Sequence, residues 1–216
     1  MNQVLKKYLG KFVLVYLNNI IIYFKTFEEH KEHIRLVFEA LRATFLMMKP
    51  KKCKFTQKEL WFLGHIIFTE GIRTDSDKIA KMVTLVLPIN LKELKSRLGL
   101  FSYYRQYIKG FSDIMRPMYE LIREENGKLA SFEWTLARQK AFKVIKAKLI
   151  TVPVIAHPDF NKPFILYMDT SDEGVEAVLH QEGDDGKEWI IAYASRTFNE
   201  HERKYPITEQ ECLAVV

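Results

Sequence analysis

Three sets of residues have side chains and spacing suited to chemistry. The first is Tyr16-Leu17-Asn18-Asn19, an amide pair pinched between the apolar runs of residues 14–24. Such a pair is either only a turn or what is left of a metal site. An amide offers a cation a neutral oxygen and a nitrogen that cannot ligate, whereas Mg²⁺ favours anionic oxygen. The second set is acidic: Asp169 and Asp172 in YMDTSD, and Glu211 in TEQEC. By local pattern alone the two aspartates suit an Asx-type turn, and Glu211 stands at the capping-box position after Thr208. The third is basic: Lys92, Lys95, Arg97, Arg105 and Lys109, interleaved with Phe101, Tyr103, Tyr104 and Tyr107. Cations on such a face can meet phosphates, while the aromatics serve either as core or as stacking surfaces. A further basic cluster, Lys49, Lys51, Lys52 and Lys54, reads as a solvated loop or a phosphate contact. His65, inside an apolar run, reads as structural, and Cys53 and Cys212 as small buried residues.

Composition narrows the setting. With 216 residues, 48% hydrophobic and 13% aromatic, the chain can bury a substantial core, which excludes disorder. Its longest apolar run falls far short of the roughly 20 residues a spanning helix needs. The N-terminus lacks the features of a secretory signal, and two cysteines are too few for a disulfide framework. A reducing intracellular setting, cytoplasmic or nuclear, is expected. The net charge of +6 hides an asymmetry. Residues 1–150 hold 28 Lys and Arg against 14 Asp and Glu, whereas residues 151–216 hold 5 against 13. The larger part suits a polyanion and the smaller is rich in carboxylates.

The elements that must position these residues follow from periodicity. Residues 12–24 predict a buried hairpin with Asn18 and Asn19 as a type I′ turn, positive in φ at both centres. Thr26 with Glu29 predicts a capping box opening a long helix that buries Ile34, Val37, Phe38, Leu41 and Phe45 and ends before Pro50. ELWFLGHIIFTEGI predicts a second hairpin. From Asp75 to about Asn126 short helices are expected, broken at Pro88, Asn90, Gly110 and Pro117, with Leu94, Leu98, Phe101 and Ile108 as their buried side. A helix over residues 135–150 follows, then strands at 164–169, 175–181 and 189–195 in an antiparallel meander, and a last helix from Thr208.

Several segments in this order carry a resemblance: YLNNIIIY at 16–23, EEHKEHIRLVFEAL at 28–41, KPKKCKFTQKELWFLGHIIFTEGI at 49–72, LKSRLGLFSYYRQYIKGFS at 94–112, PVIAHPDFNKPFIL at 153–166, DTSDEGVEAVLHQ at 169–181, IAYASRTFNEHERKY at 191–205 and TEQECLAVV at 208–216. Together they resemble the polymerase protein of gypsy-type long-terminal-repeat retrotransposons, over nearly the whole chain. The resemblance implies an α/β (mixed α+β) fold. Residues 1–74 would be the C-terminal part of a reverse-transcriptase palm with its primer-grip hairpin, 75–130 a helical thumb-like unit, 131–160 a connection, and 161–216 the N-terminal part of a ribonuclease H-like domain. It also implies that fingers, the first half of the palm and the end of ribonuclease H lie outside this chain, which is then an interior piece or an incomplete gene product.

Family members carry Tyr-x-Asp-Asp where this chain has Tyr16-Leu17-Asn18-Asn19, so Asn18 and Asn19 stand at lost polymerase metal positions. In the two-metal mechanism, carboxylates hold Mg²⁺ ions that activate the primer hydroxyl. One carboxylate about 4 Å from a divalent ion is worth on the order of 8 kcal/mol at an effective dielectric near 20, before desolvation is subtracted. Asn nearly matches the shape of Asp and keeps the turn, so the exchange preserves the hairpin and deletes the chemistry. The resemblance makes Asp169 and Glu211 ribonuclease H catalytic and metal positions, an incomplete set, and places Glu176 where the family usually has glycine. It implies Mg²⁺ as family cofactor, with binding by this chain not expected. It assigns Lys92, Lys95, Arg97, Arg105 and Lys109 to nucleic acid, and implies a primer–template or RNA–DNA hybrid as partner, with no membrane. The expectation is a reverse transcriptase/ribonuclease H fragment inactive in polymerisation; the competing expectation is a non-catalytic nucleic-acid-binding module or a decayed relic.

Overall fold

A computed structural model describes residues 1–122, 124–125, 128–129 and 132–215. They form two compact units, Met1–Gln57 and Lys58–Val216. The expected boundary at residues 130–131, together with Asn126 and Val216, lies outside the described residues.

In the first unit, β1 (Val13–Tyr16) and β2 (Asn19–Ile22) pair antiparallel, with Val13 opposite Ile22 and Tyr16 opposite Asn19. Val13 and Ile22 pack with Leu5 and with Val37 and Leu41 of α1 (Phe27–Ala43). Full burial of each such side chain contributes roughly 1.5–3 kcal/mol. Helix α1 starts where the capping box predicts. Thr26 accepts from the Glu29 N–H at 3.3 Å, and the Glu29 carboxylate accepts from the Thr26 N–H at 3.2 Å. The helix is shorter than its apolar period. Thr44 caps it by returning its hydroxyl to the Leu41 carbonyl, and Phe45, expected on the buried face, lies beyond the end with φ +56, almost fully exposed.

The second unit opens with a meander where one hairpin was expected: β3 (Glu59–Phe62), β4 (His65–Phe68) and β5 (Gly71–Thr74). Leu63 and Gly64, both at positive φ, make the β3–β4 turn. Helices α2 (Ser76–Val83), α3 (Leu91–Ser102), α4 (Phe111–Glu120) and α5 (Leu136–Ile150) enclose one core that includes Leu94, Leu98, Phe101, Met115, Phe142 and Ile145. Asn90 caps α3, its side-chain oxygen accepting from the Glu93 N–H at 2.9 Å, and Thr135 caps α5. Pro117, expected as a break, lies inside α4, where Arg138 of α5 donates its Nε–H to the Pro117 carbonyl at 3.3 Å. Two short strands, β6 (Glu124–Glu125) and β7 (Lys128–Leu129), lie between α4 and α5.

The last sheet matches the predicted meander: β8 (Ile165–Ser171), β9 (Gly174–Glu182) and β10 (Glu188–Thr197) in the order β10-β9-β8, followed by α6 (Ile207–Val215), which packs against β8. Residues 155–156 bond to both sheets. Ile155 exchanges backbone hydrogen bonds with Ile72 at 2.8 and 3.0 Å, and Ala156 donates to the Ile190 carbonyl at 2.8 Å. Ser112 at the start of α4 donates its N–H to Ser195 Oγ at 2.9 Å and its hydroxyl to the Ser195 carbonyl at 2.7 Å, fixing α4 on β10. Cys53 is half-buried and Cys212 exposed, because the second falls on the outer side of α6; neither is the buried residue expected.

Candidate functional site

The first hairpin keeps its place but shifts its turn. Tyr16 pairs with Asn19, so the two loop residues are Leu17 and Asn18, and Asn19 begins β2. Only Leu17 has positive φ, +53, and it is 75% exposed. The type I′ turn centred on both asparagines is therefore replaced by one in which a branched apolar residue takes the left-handed conformation, which costs about 1–2 kcal/mol. The ladder that seats Val13 and Ile22 over Leu5 and Val37 carries on to a Tyr23 N–H bond with the Phe12 carbonyl at 3.0 Å. The register is thus set by burial below the turn rather than by turn preference. Asn18 and Asn19 are both exposed at the tip. Their donor set is two neutral amide oxygens, which does not fit a Mg²⁺ ion.

The β3–β4 turn is held by tyrosines. Gly64 has φ +81, and a Cβ there would lie 2.9 Å from the Tyr104 hydroxyl. That hydroxyl donates to the Gly64 carbonyl at 3.3 Å, and the Tyr103 hydroxyl donates to the Leu63 carbonyl. His65 stacks between Tyr103 and Tyr107, with ring centroids 5.2 and 5.5 Å away, and its Nδ1 lies 2.9 Å from the Tyr107 hydroxyl. Burial, then the nearby Lys78 ammonium, hold the His65 pKa below the ordinary imidazole value. Burial pushes the Tyr104 and Tyr107 hydroxyls up to about 12, so both are neutral at neutral pH. Phe101, Tyr104 and Tyr107 are core residues, while Tyr103 is half-exposed. The link between FLGH and YYRQY was not visible in the sequence, since 40 residues separate the partners Gly64 and Tyr104.

The five basic residues divide by environment. Lys92 and Lys95 lie on the exposed side of α3, and Arg105 and Lys109 are exposed beyond its end. Arg97 is different: its side chain is 20% exposed and its guanidinium lies 3.9 Å from the Glu93 carboxylate.

Asp169 on β8 stands directly across from Glu176 on β9, which stands directly across from Ser195 on β10. Directly opposed residues share a face, so this is one row. Asp169 is exposed and Glu176 half-buried. A Cβ at Gly110 would lie 2.8 Å from Glu176 Oε1, so the absence of a side chain at Gly110 makes room for the extra carboxylate. Glu173, at the β8–β9 turn, pairs with Arg116 of α4 and lies 3.4 Å from Arg203; the Arg116 hydrogen bond holds its carboxyl below the usual range. Glu211 is exposed on α6. Among the described residues no group of three or more His, Cys, Asp or Glu is placed to hold a metal ion. The Asp169–Glu176 juxtaposition was missed because it depends on register; only the YMDTSD and VEAVLHQ alternation signalled it.

Residues 1–67 match the sequence profile of reverse transcriptase (RNA-dependent DNA polymerase), and residues 134–216 that of the RNase H-like domain found in reverse transcriptase. The chain is 38% identical to the retrovirus-related Pol polyprotein from transposon 297 of Drosophila melanogaster, over 100% of the chain and 20% of that protein. It is 31% identical to the transposon Tf2-7 polyprotein of Schizosaccharomyces pombe, over 100% of the chain and 16% of that protein. It therefore spans about a fifth of the length of these relatives. Among solved structures it is similar to the foamy viral protease-reverse transcriptase in complex with dsDNA, with TM-score 0.84 and 27% identity, over 99% of the chain and 44% of that one. The same enzyme in complex with an RNA/DNA hybrid gives TM-score 0.82, over 99% of the chain and 28% of that one. No helix among the described residues is long and apolar enough to cross a membrane.

Proposed function

Since the chain belongs to the reverse transcriptase and ribonuclease H family of long-terminal-repeat retrotransposon Pol polyproteins, we propose that it binds primer–template duplex without polymerising on it. In this reading residues 1–74 are late palm with a primer-grip hairpin, 75–130 thumb, 131–160 connection and 161–216 early ribonuclease H. The observation that carries it is the hairpin tip. The strands pair up to Tyr16 and Asn19 with an exposed loop between them, and both positions that would present carboxylates are amides. The fold of the site supports inheritance from a polymerase, and its donor chemistry opposes metal-dependent transfer.

Lys92, Lys95, Arg105 and Lys109 are the phosphate-facing groups in this reading, with Arg97 positioned by Glu93. Asp169 and Glu211 occupy inherited ribonuclease H positions on β8 and on the helix packed against it. In this reading they are two members of a larger two-metal carboxylate set. Relatives were solved with dsDNA and with an RNA/DNA hybrid, which supports duplex as the ligand. Binding of a labelled primer–template by fluorescence anisotropy across a salt series tests it. A steep linear fall of log affinity with log salt is expected; no binding at low salt overturns the proposal and leaves a relic.

A further inference from the structure

Helix α5 carries five cations and no acidic residue: Arg138, Lys140, Lys143, Lys146 and Lys148. The structure separates them into two kinds. Arg138 is consumed internally, donating to the carbonyls of Pro117 and Glu133, and Lys146 donates to the Leu85 carbonyl at 2.8 Å with its ammonium 5.5 Å from the Phe142 ring centroid. Lys140, Lys143 and Lys148 are exposed, and among the described residues none of their ammonium groups has an acidic partner or a hydrogen bond. At i, i+3 and i+8 they span about 12 Å along the axis, Lys140 and Lys143 on the side turned away from the buried Phe142, Ile145 and Leu149, and Lys148 on its flank.

Helix α1 shows the alternative. There Arg35 is held by Glu32 and Glu39, and Lys31 by Glu28, so a helix that mixes both signs pairs its own cations. Like charges one turn apart cost a few tenths of a kcal/mol each, and among the described residues no ion pair relieves Lys140, Lys143 or Lys148 of that cost. We propose that Lys140, Lys143 and Lys148 form a second phosphate-binding stripe, taking the backbone of a nucleic-acid duplex outside the α3 face. The ligand is a polyanion with closely spaced charges, which a row of unpaired ammonium groups meets without base readout. A lipid surface fits less well, because the apolar face of α5 is buried against the core and has nothing to insert.

This inference rests on the duplex-binding reading, and the test separates the two. Salt-dependent binding of a primer–template duplex, and of vesicles containing anionic lipid, is measured for four proteins: the full chain, Lys140→Gln/Lys143→Gln/Lys148→Gln, the matching Lys→Arg triple, and a control with Lys6→Gln/Lys7→Gln/Lys11→Gln. Each lost phosphate contact makes the slope of log affinity against log salt shallower by about 0.9. The Gln triple is expected to lose between about 1 and 3 slope units more than the control, the Arg triple to keep the slope, and thermal unfolding to be unchanged in both. A Gln triple that behaves like the control overturns the stripe while wild-type binding preserves the duplex reading. No wild-type binding overturns both, and vesicle binding without duplex binding transfers the stripe to a lipid headgroup and overturns it as stated.

Discussion

Gly71→Ala should damage the second unit severely, whereas the same methyl addition at Gly99 should not. Gly71 has φ +156, and a Cβ would overlap the carbonyl oxygen of Ile155. That carbonyl accepts from the Ile72 N–H at 2.8 Å, and Ile155 returns its own N–H to Ile72 at 3.0 Å, one residue before Ala156 bonds Ile190. The methyl group therefore imposes a backbone conformation costing about 1–3 kcal/mol and strains two hydrogen bonds worth about 1 kcal/mol each. Together these give roughly 3–5 kcal/mol, out of a total stability of about 5–15 kcal/mol for a typical domain. At about 2–4 °C per kcal/mol for a chain of this size, the melting temperature falls by about 6–20 °C. Gly99→Ala, mid-helix in α3 with nothing within 4 Å of the new methyl, should instead gain about 0.5–1 kcal/mol. All three tryptophans, Trp61, Trp134 and Trp189, lie in the second unit, so fluorescence-detected thermal and urea unfolding reports on it alone. A Gly71→Ala protein within 1 kcal/mol of wild type refutes the close approach of β5 to residue 155.

Three further outcomes follow from the same structure. Both ring nitrogens of His30 are buried without a hydrogen-bond partner beside Phe24, and burial, then repulsion from His33, lowers its pKa. The unfolded chain then binds the proton more readily, so this contribution is fully present above the ordinary imidazole value near 6.5 and is lost as pH falls below it. Hydrogen exchange at α1 amides should accelerate between about pH 6.5 and pH 5, and His30→Leu should flatten that dependence; an unchanged dependence in the variant rules His30 out. Asn90→Ala removes the cap of α3 and should cost about 1 kcal/mol in urea unfolding, with a cost below 0.3 kcal/mol counting against the cap. An RNA–DNA hybrid should remain uncut in Mg²⁺ or Mn²⁺, and cleavage abolished by Asp169→Ala would show that the β8 carboxylate works with fewer partners than two-metal chemistry requires.

Much of the architecture was legible because its signals are local. Thr26 with Glu29, Asn90 with Glu93 and Thr135 each announce a helix start through a side-chain oxygen and a free N–H a few residues away. The three strands after residue 160 follow from alternation and from the turn at EGDDGKE. What was not legible depends on contacts distant in sequence. The turn at Leu17-Asn18 departs from local preference because burial of Val13 and Ile22 sets the register. Pro117 continues a helix because its neighbours are packed in the core, with Met115 and Met118 on either side of it fully buried. The same limit hid the His65–Tyr107 contact and the row joining Asp169, Glu176 and Ser195. Nor could spacing tell that Arg138 and Lys146 are used internally while their three neighbours on α5 are not.

Primer extension by the full chain tests the central claim most directly. A labelled primer annealed to an RNA template, incubated with all four deoxynucleotides and either Mg²⁺ or Mn²⁺, should stay at its starting length, because Asn18 and Asn19 bring no anionic oxygen to the hairpin tip. Template-dependent extension that disappears in Asn18→Ala/Asn19→Ala would contradict it.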